Sequence, residues 1–82
     1  MKTIEQKLEK LLIDFGIDRK KVSGDTDYYH DLNLNMLDLY CLANRITREF
    51  RVYFSEEEIL RMERISDTVH FLRRKAGENY LN

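Results

Sequence analysis

The sequence predicts an all-α fold, and three observations carry that prediction. Apolar residues recur with the helical period nearly throughout the chain. Capping residues stand at the starts of the periodic stretches. The three glycines fall between those stretches, and the chain has no proline. An 82-residue chain supports a single domain over 1–82, and at this size folding buries only roughly 60–65% of the unfolded surface, so the core is small.

The first segment puts Ile4, Leu8, Leu11, Leu12 and Phe15 on one helix face. Thr3 and Gln6 fit a capping box, and Gly16 is the natural stop. A second helix is predicted from about Met36 to Phe50, with Asn35 as N-cap and Leu39, Leu42, Ala43, Ile46 and Phe50 on the buried stripe. Ser55 with Glu58 caps a third, short helix from Glu56 to about Met62. The last runs from about Ser66 to Ala76, with Ile65, Val69, Leu72 and Ala76 inward and Gly77 as terminator. Arg73, Arg74 and Lys75 then complement the negative end of its dipole. Between the first two helices lies a 19-residue connection, 17–35, longer than a helix–helix loop without a task. Val22, Tyr28, Leu32 and Leu34 can pin it to the bundle. The expected architecture is three main helices, one short helix and a long loop between helices 1 and 2.

Charged residues make up 35% and hydrophobic ones 43%, as suits a globular domain rather than a disordered chain. The net charge of -1 argues against a nucleic-acid binder. One cysteine permits no internal disulfide, the first residues lack the apolar core of a signal peptide, and no run approaches the ~18 apolar residues of a membrane span. These features predict a cytoplasmic protein with no membrane span, expected to be a monomer.

At the head of the second helix the chain reads Asp31-Leu32-Asn33-Leu34-Asn35-Met36-Leu37-Asp38. This resembles the D-L-G-x-D-S-L-D motif of acyl carrier proteins, which place it after a long first loop. Phe15-Gly16-Ile17 resembles the family's Leu-Gly-Val, and Val22 stands where the family often has an apolar anchor. Phe50 closes the second helix as the family's Glu-Phe does, and 65–72 is similar to its closing T-V-x-D-A-I-x-Y-I pattern. Residues 3–76 lie on the family pattern without a gap. The resemblance therefore implies an acyl-carrier-protein-like helical bundle.

The departures fall on the motif itself. In the family the motif serine carries 4'-phosphopantetheine through a phosphodiester, and the helix N-terminus favours a phosphate there. Met36 occupies that position, and a thioether has no replaceable proton, so the arm is not attachable at Met36 and no cofactor is expected. The family's second helix is usually strongly acidic; here Asp38 and Glu49 are balanced by Arg45 and Arg48. Cys41, Thr47 and Arg48 stand where acidic residues are common. Asn33 replaces the family's glycine, and Asn35 its aspartate, which caps nearly as well but supplies no carboxylate to a transferase's metal.

Other candidates have plainer readings. Met36 is either drift after loss of function or an apolar knob for a partner. Cys41, opposite the buried stripe, suggests a relocated thioester site, but a lone cysteine without an activating partner reads as structural. His30 and His70 have no ligand spacing around them. Asp25, Asp27 and Asp31 lack the EF-hand glycine and terminal glutamate, and read as loop solvation. The basic clusters at 19–21 and 73–75 are balanced by nearby acids. Tyr28, Tyr29, Tyr40 and Tyr53 are expected at the bundle edge with hydroxyls reaching water, Tyr40 filling space that the family keeps for acyl chains. No nucleophile–base pair, metal cluster or phosphate loop emerges, so the chain is not expected to be an enzyme.

The leading expectation is a pseudo-carrier, a non-catalytic module that binds a protein partner. That partner is an enzyme of acyl, fatty-acid or polyketide metabolism, or an unrelated protein. Asn35, Met36, Leu37, Asp38, Cys41, Arg45 and Arg48 form its expected binding surface. The alternative is a working carrier with non-standard attachment, or a fatty-acyl chain bound without a covalent bond. A third reading, a methionine introduced to block modification, fits the accompanying charge changes less well.

Overall fold

The computed structural model describes residues 3–80, with side chains through residue 75. In chain order it contains α1 (Ile4–Phe15), a single 3-10 turn (Arg19–Lys21), α2 (Met36–Phe50), α3 (Glu56–Leu60) and α4 (Ile65–Tyr80). Among the described residues no strand forms, and one isolated antiparallel bridge joins Asp27 to Arg64. The chain is thus the expected helical bundle with a long connection after its first helix.

Local sequence sets the ends of α1. Thr3 Oγ1 accepts the Gln6 N–H at 3.1 Å, and Gln6 Oε1 accepts the Thr3 N–H at 3.0 Å. At the other end Gly16 takes φ 114, a left-handed value that side chains resist. Its N–H reaches Ile13 O, and the Ile17 N–H reaches Leu12 O, both at 3.0 Å. These are the paired bonds of a Schellman motif, and Leu12 and Ile17 are both buried beside it.

The helices meet through the predicted stripes. α1 packs on α2 and α4, and α2 on α3. Leu8, Leu12, Leu39, Leu42, Ile46, Met62 and Leu72 are fully buried, and each such side chain contributes about 1.5–3 kcal/mol of burial. α2 ends at Arg51, whose φ of 55 is left-handed. A non-glycine residue there costs on the order of 1 kcal/mol. Arg51→Gly is therefore expected to raise the unfolding free energy measured by chemical denaturation by about a few tenths to 1 kcal/mol, less what glycine adds to unfolded-chain entropy.

The long connection is tied down by backbone and by Tyr28. Tyr28 N–H donates to Glu63 O at 2.8 Å, while Ile65 N–H reaches Thr26 O and Ser66 N–H reaches Gly24 O, both at 3.0 Å. Thr26 Oγ1 donates to Lys21 O within the loop. Val22, Leu32 and Leu34 rest half-buried against the core, as expected. Tyr28 departs from expectation: it lies wholly inside, not at the bundle edge. Its hydroxyl is 2.6 Å from Thr68 Oγ1, and Thr68 donates onward to Met62 Sδ at 3.3 Å, so the interior supplies the partner that water would have given. Burial pushes the Tyr28 phenol well above its ordinary value and keeps it a donor.

Two expectations about the last helices need correction. α3 ends at Leu60 rather than near Met62, because the chain turns at Arg61 to carry Glu63 to the loop. α4 starts at Ile65 and runs past Gly77 to Tyr80. One glycine costs a helix interior only about 1 kcal/mol relative to alanine, too little to stop it alone. Arg73 and Lys75 are therefore not in the last turn; they pair with Glu5 and Glu58 instead. The side chain of Ala76, expected to face inward, lies outside the described residues.

Glu58 joins α3 to α4. Its carboxylate caps Ser55 N–H at 2.9 Å and meets Lys75 Nζ at 2.8 Å, with Lys75 also 5.7 Å from the Phe54 ring centroid. The Lys75 hydrogen bond, then the Ser55 N–H, hold its pKa below the ordinary value of 4.5. A depressed carboxylate stabilises the fold above that value and loses its contribution as pH falls through the lowered one. Glu58→Gln should flatten the loss of stability on acidification below 4.5, read from denaturation midpoints across that range.

Candidate functional site

The head of α2 is built by its own sequence. Asn35 is extended, with φ −103 and ψ −179, and its Oδ1 accepts the Asp38 N–H at 2.9 Å. Asp38 Oδ2 in turn accepts the Asn35 N–H, also at 2.9 Å. Each side chain satisfies a backbone donor that the helix leaves open, and Asp38 complements the positive end of the dipole. Upstream, Asn33 takes φ 55, a region asparagine tolerates better than most residues, and Leu34 N–H bonds to Tyr28 O at 3.0 Å. The buried tyrosine thus sets the approach to the helix.

Of the residues expected to bind a partner, Asn35 and Asp38 commit their side chains to this cap. Met36 and Leu37, the first two residues of the helix, are 52% and 75% exposed. Their exposure follows from position, since the core-facing stripe begins only at Leu39. Cys41, Arg45 and Arg48 are all exposed further along α2. Arg48 lies about 18 Å of helix beyond Met36, so the seven residues form an elongated strip rather than one cluster. Arg45 and Arg48 border a groove against α1, lined also by Lys7, Lys10 and Leu11. Sequence reasoning did not foresee the part played by α1, because side chains 30 or more positions apart meet only in the folded bundle.

The start of α2 does not fit a phosphopantetheine arm. Met36, its first residue, carries no hydroxyl, and from 30 to 46 the sequence offers only that of Tyr40. Tyr40 is half-buried, and burial and the neighbouring Glu56 carboxylate both push its phenol up, which makes it a poorer nucleophile. Cys41 is an exposed free thiol. Among the described residues no three His, Cys, Asp or Glu side chains come together as metal ligands. Asp27 and Asp31 serve the loop instead. Asp27 Oδ1 accepts the N–H groups of Tyr29 and His30, Asp31 Oδ2 accepts that of Asp27, and the His30 N–H in particular lowers the Asp27 pKa. His30 Nδ1 lies 3.4 Å from Asp27 Oδ1, and His70 is exposed beside Phe71. Among the described residues no helix is long and apolar enough to cross a membrane.

No protein-family model matches the chain. It is nonetheless similar to proteins named acyl carrier protein along nearly its whole length. That of Solidesulfovibrio magneticus is 29% identical over 77 residues, which cover 93% of this chain and 99% of the relative. That of Akkermansia muciniphila is 25% identical over 76 residues, or 92% and 95% of the two chains. That of Chlamydia felis is 23% identical over 77 residues, covering 93% and 99%. In sequence, nearly end to end, and in its helical bundle with a long first connection, the chain is similar to acyl carrier proteins.

Proposed function

We propose that the protein is a pseudo-carrier: a member of the family that carries no phosphopantetheine and acts as a non-catalytic interaction module. One observation carries the reading. Met36 is the first residue of α2, where the motif resemblance puts the family's attachment serine, and a thioether has no proton to exchange for a phosphodiester. The capped helix head around it supports retention of a contact surface without its chemistry. That surface is the strip from Asn35 to Arg48, with Met36 and Leu37 as apolar contacts and Cys41, Arg45 and Arg48 beyond them. Relatives named acyl carrier protein support a partner among enzymes of acyl metabolism, of fatty-acid or polyketide type, met in the cytoplasm by a monomeric chain.

A fatty-acyl chain held without a covalent bond is less well supported. The apolar cleft among Leu8, Leu12, Val22, Ile65 and Val69 holds only about 190 Å³, and Glu5 and Glu9 on its wall oppose a fatty carboxylate. The test of the main reading is the intact mass of the protein purified from its own host. The sequence mass is expected; a covalent adduct would overturn the reading and send attention first to Cys41.

A further inference from the structure

Arg45 and Arg48 stand three residues apart on α2, as neighbours on the helix surface, and open onto the groove of about 550 Å³ against α1. Four cations line that groove, Lys7, Lys10, Arg45 and Arg48, against the carboxylates of Asp14 and Glu49. This is a positive excess on a chain of net charge -1. Lys10 engages Asp14 at 3.5 Å. The Lys7 ammonium lies 5.0 Å from the Phe50 ring centroid, and the Arg45 guanidinium 5.9 Å from that of Phe15. Among the described residues neither Arg45 nor Arg48 forms an ion pair, whereas Arg61, Arg73 and Lys75 each meet a glutamate.

The groove is not wholly polar. Leu11 forms part of its floor, and the aliphatic stems of the cations add to it. Leu37, Cys41 and Arg48 follow one another along the solvent face of α2 at spacings of four and seven residues. The exposed Leu37 and the basic groove are therefore two ends of one strip about 16 Å long, three turns of helix.

We propose that this strip receives an acidic amphipathic helix of a protein partner. Its carboxylates meet Arg45, Arg48 and Lys10, and an apolar side chain meets Leu37. The proposal rests on the interaction-module reading for the existence of a partner and adds the partner's chemistry. A guanidinium fork matches a carboxylate in two parallel hydrogen bonds, and Arg45 and Arg48 are free to make them. The carboxylates of Asp14 and Glu49 in the groove, and the exposed Leu37 further along α2, suit such a helix better than a phosphate backbone, whose charge is continuous.

The test is a titration of the isotope-labelled full chain with a synthetic three-turn peptide bearing leucines on one face and glutamates beside them. A scrambled peptide of the same composition runs alongside. Amide shifts are expected in 7–14 and 37–49, with affinity that falls as salt rises. The double variant Arg45→Glu, Arg48→Glu should lose roughly tenfold or more in affinity. Arg45→Gln with Arg48→Gln should lose less, and Arg19→Glu on the exposed 3-10 turn nothing. All the substituted side chains are exposed, and unchanged circular dichroism checks that the variants fold.

Undiminished affinity in the double variant, shifts elsewhere, or equal binding of the scrambled peptide overturns the proposal. So does a salt-sensitive dimer of the free chain that the same reversals abolish, which would assign the groove to a second copy. Tighter binding of a single-stranded oligonucleotide than of the peptide also overturns it. A phosphopantetheine adduct on the purified chain would instead sink the pseudo-carrier reading and leave these shifts in place.

Discussion

Tyr28→Ala is expected to cost about 3–5 kcal/mol, the largest single-residue effect in the chain. At roughly 0.05–0.15 kcal/mol per residue, the whole fold is worth only about 4–12 kcal/mol, so the variant should be partly unfolded at ordinary temperature. The cost has two parts. Removing the ring empties a fully buried site, and removing the hydroxyl leaves Thr68 Oγ1 without its donor. Tyr28→Phe isolates the second part and should cost about 1 kcal/mol. Thr68→Val should cost somewhat more, about 1–3 kcal/mol, because it strands the tyrosine hydroxyl in the interior. Chemical denaturation orders the three variants. Hydrogen exchange adds a local readout: Leu34 N–H bonds to Tyr28 O, so amides of 29–35 should exchange faster in Tyr28→Ala than expected from its stability alone. An exchange pattern that rises uniformly over the chain would separate the tyrosine from the α2 approach.

The buried tyrosine also shows where sequence and fold part company. α1, α2 and the start of α3 are legible because their information is local: a stripe of period 3.6, a cap three residues before its partner, a glycine at the end. Thr3–Gln6, Asn35–Asp38 and Ser55–Glu58 all form reciprocal caps. The loop is held by other means. Its anchors, Tyr28 to Glu63, Thr26 to Ile65 and Gly24 to Ser66, are single backbone pairings between residues some forty apart, and they leave no periodic trace. Thr68 looks like an ordinary polar helix residue until Tyr28 arrives above it. The left-handed Arg51 is equally hidden, since arginine gives no sign of positive φ. Gly77 misleads in the other direction, as a stop signal that α4 overrides.

The candidate site divides in the same way. That Met36 begins a capped helix follows from the residues around it. That Asn35 caps the helix follows from the same pattern, but the return bond from Asp38 appears only in the fold, and both residues stood among the expected contacts. The contribution of Lys7, Lys10 and Leu11 to the surface beside Arg45 was not legible, because it depends on how α1 lies against α2.

Met36→Ser is the second large effect, a change from no modification to modification. The substitution is mild for the fold: Met36 is half-exposed at the first helical turn, so its loss should cost under about 1 kcal/mol. The serine hydroxyl would stand at a helix head whose open backbone donors favour a phosphate. Asn35 lacks the carboxylate that the family supplies before its serine, and α2 is neutral where the family is acidic, so loading should be slow. Asn35→Asp added to Met36→Ser should speed it, while an aspartate keeps the cap.

The most direct measurement is therefore intact mass after incubation with coenzyme A and a broad-specificity phosphopantetheinyl transferase. The wild-type chain and the Asn35→Asp, Met36→Ser variant are treated side by side. The wild type is predicted to keep its sequence mass while the variant gains one arm, which would locate the loss of carrier chemistry at Met36. A wild-type chain that gains the arm contradicts the account.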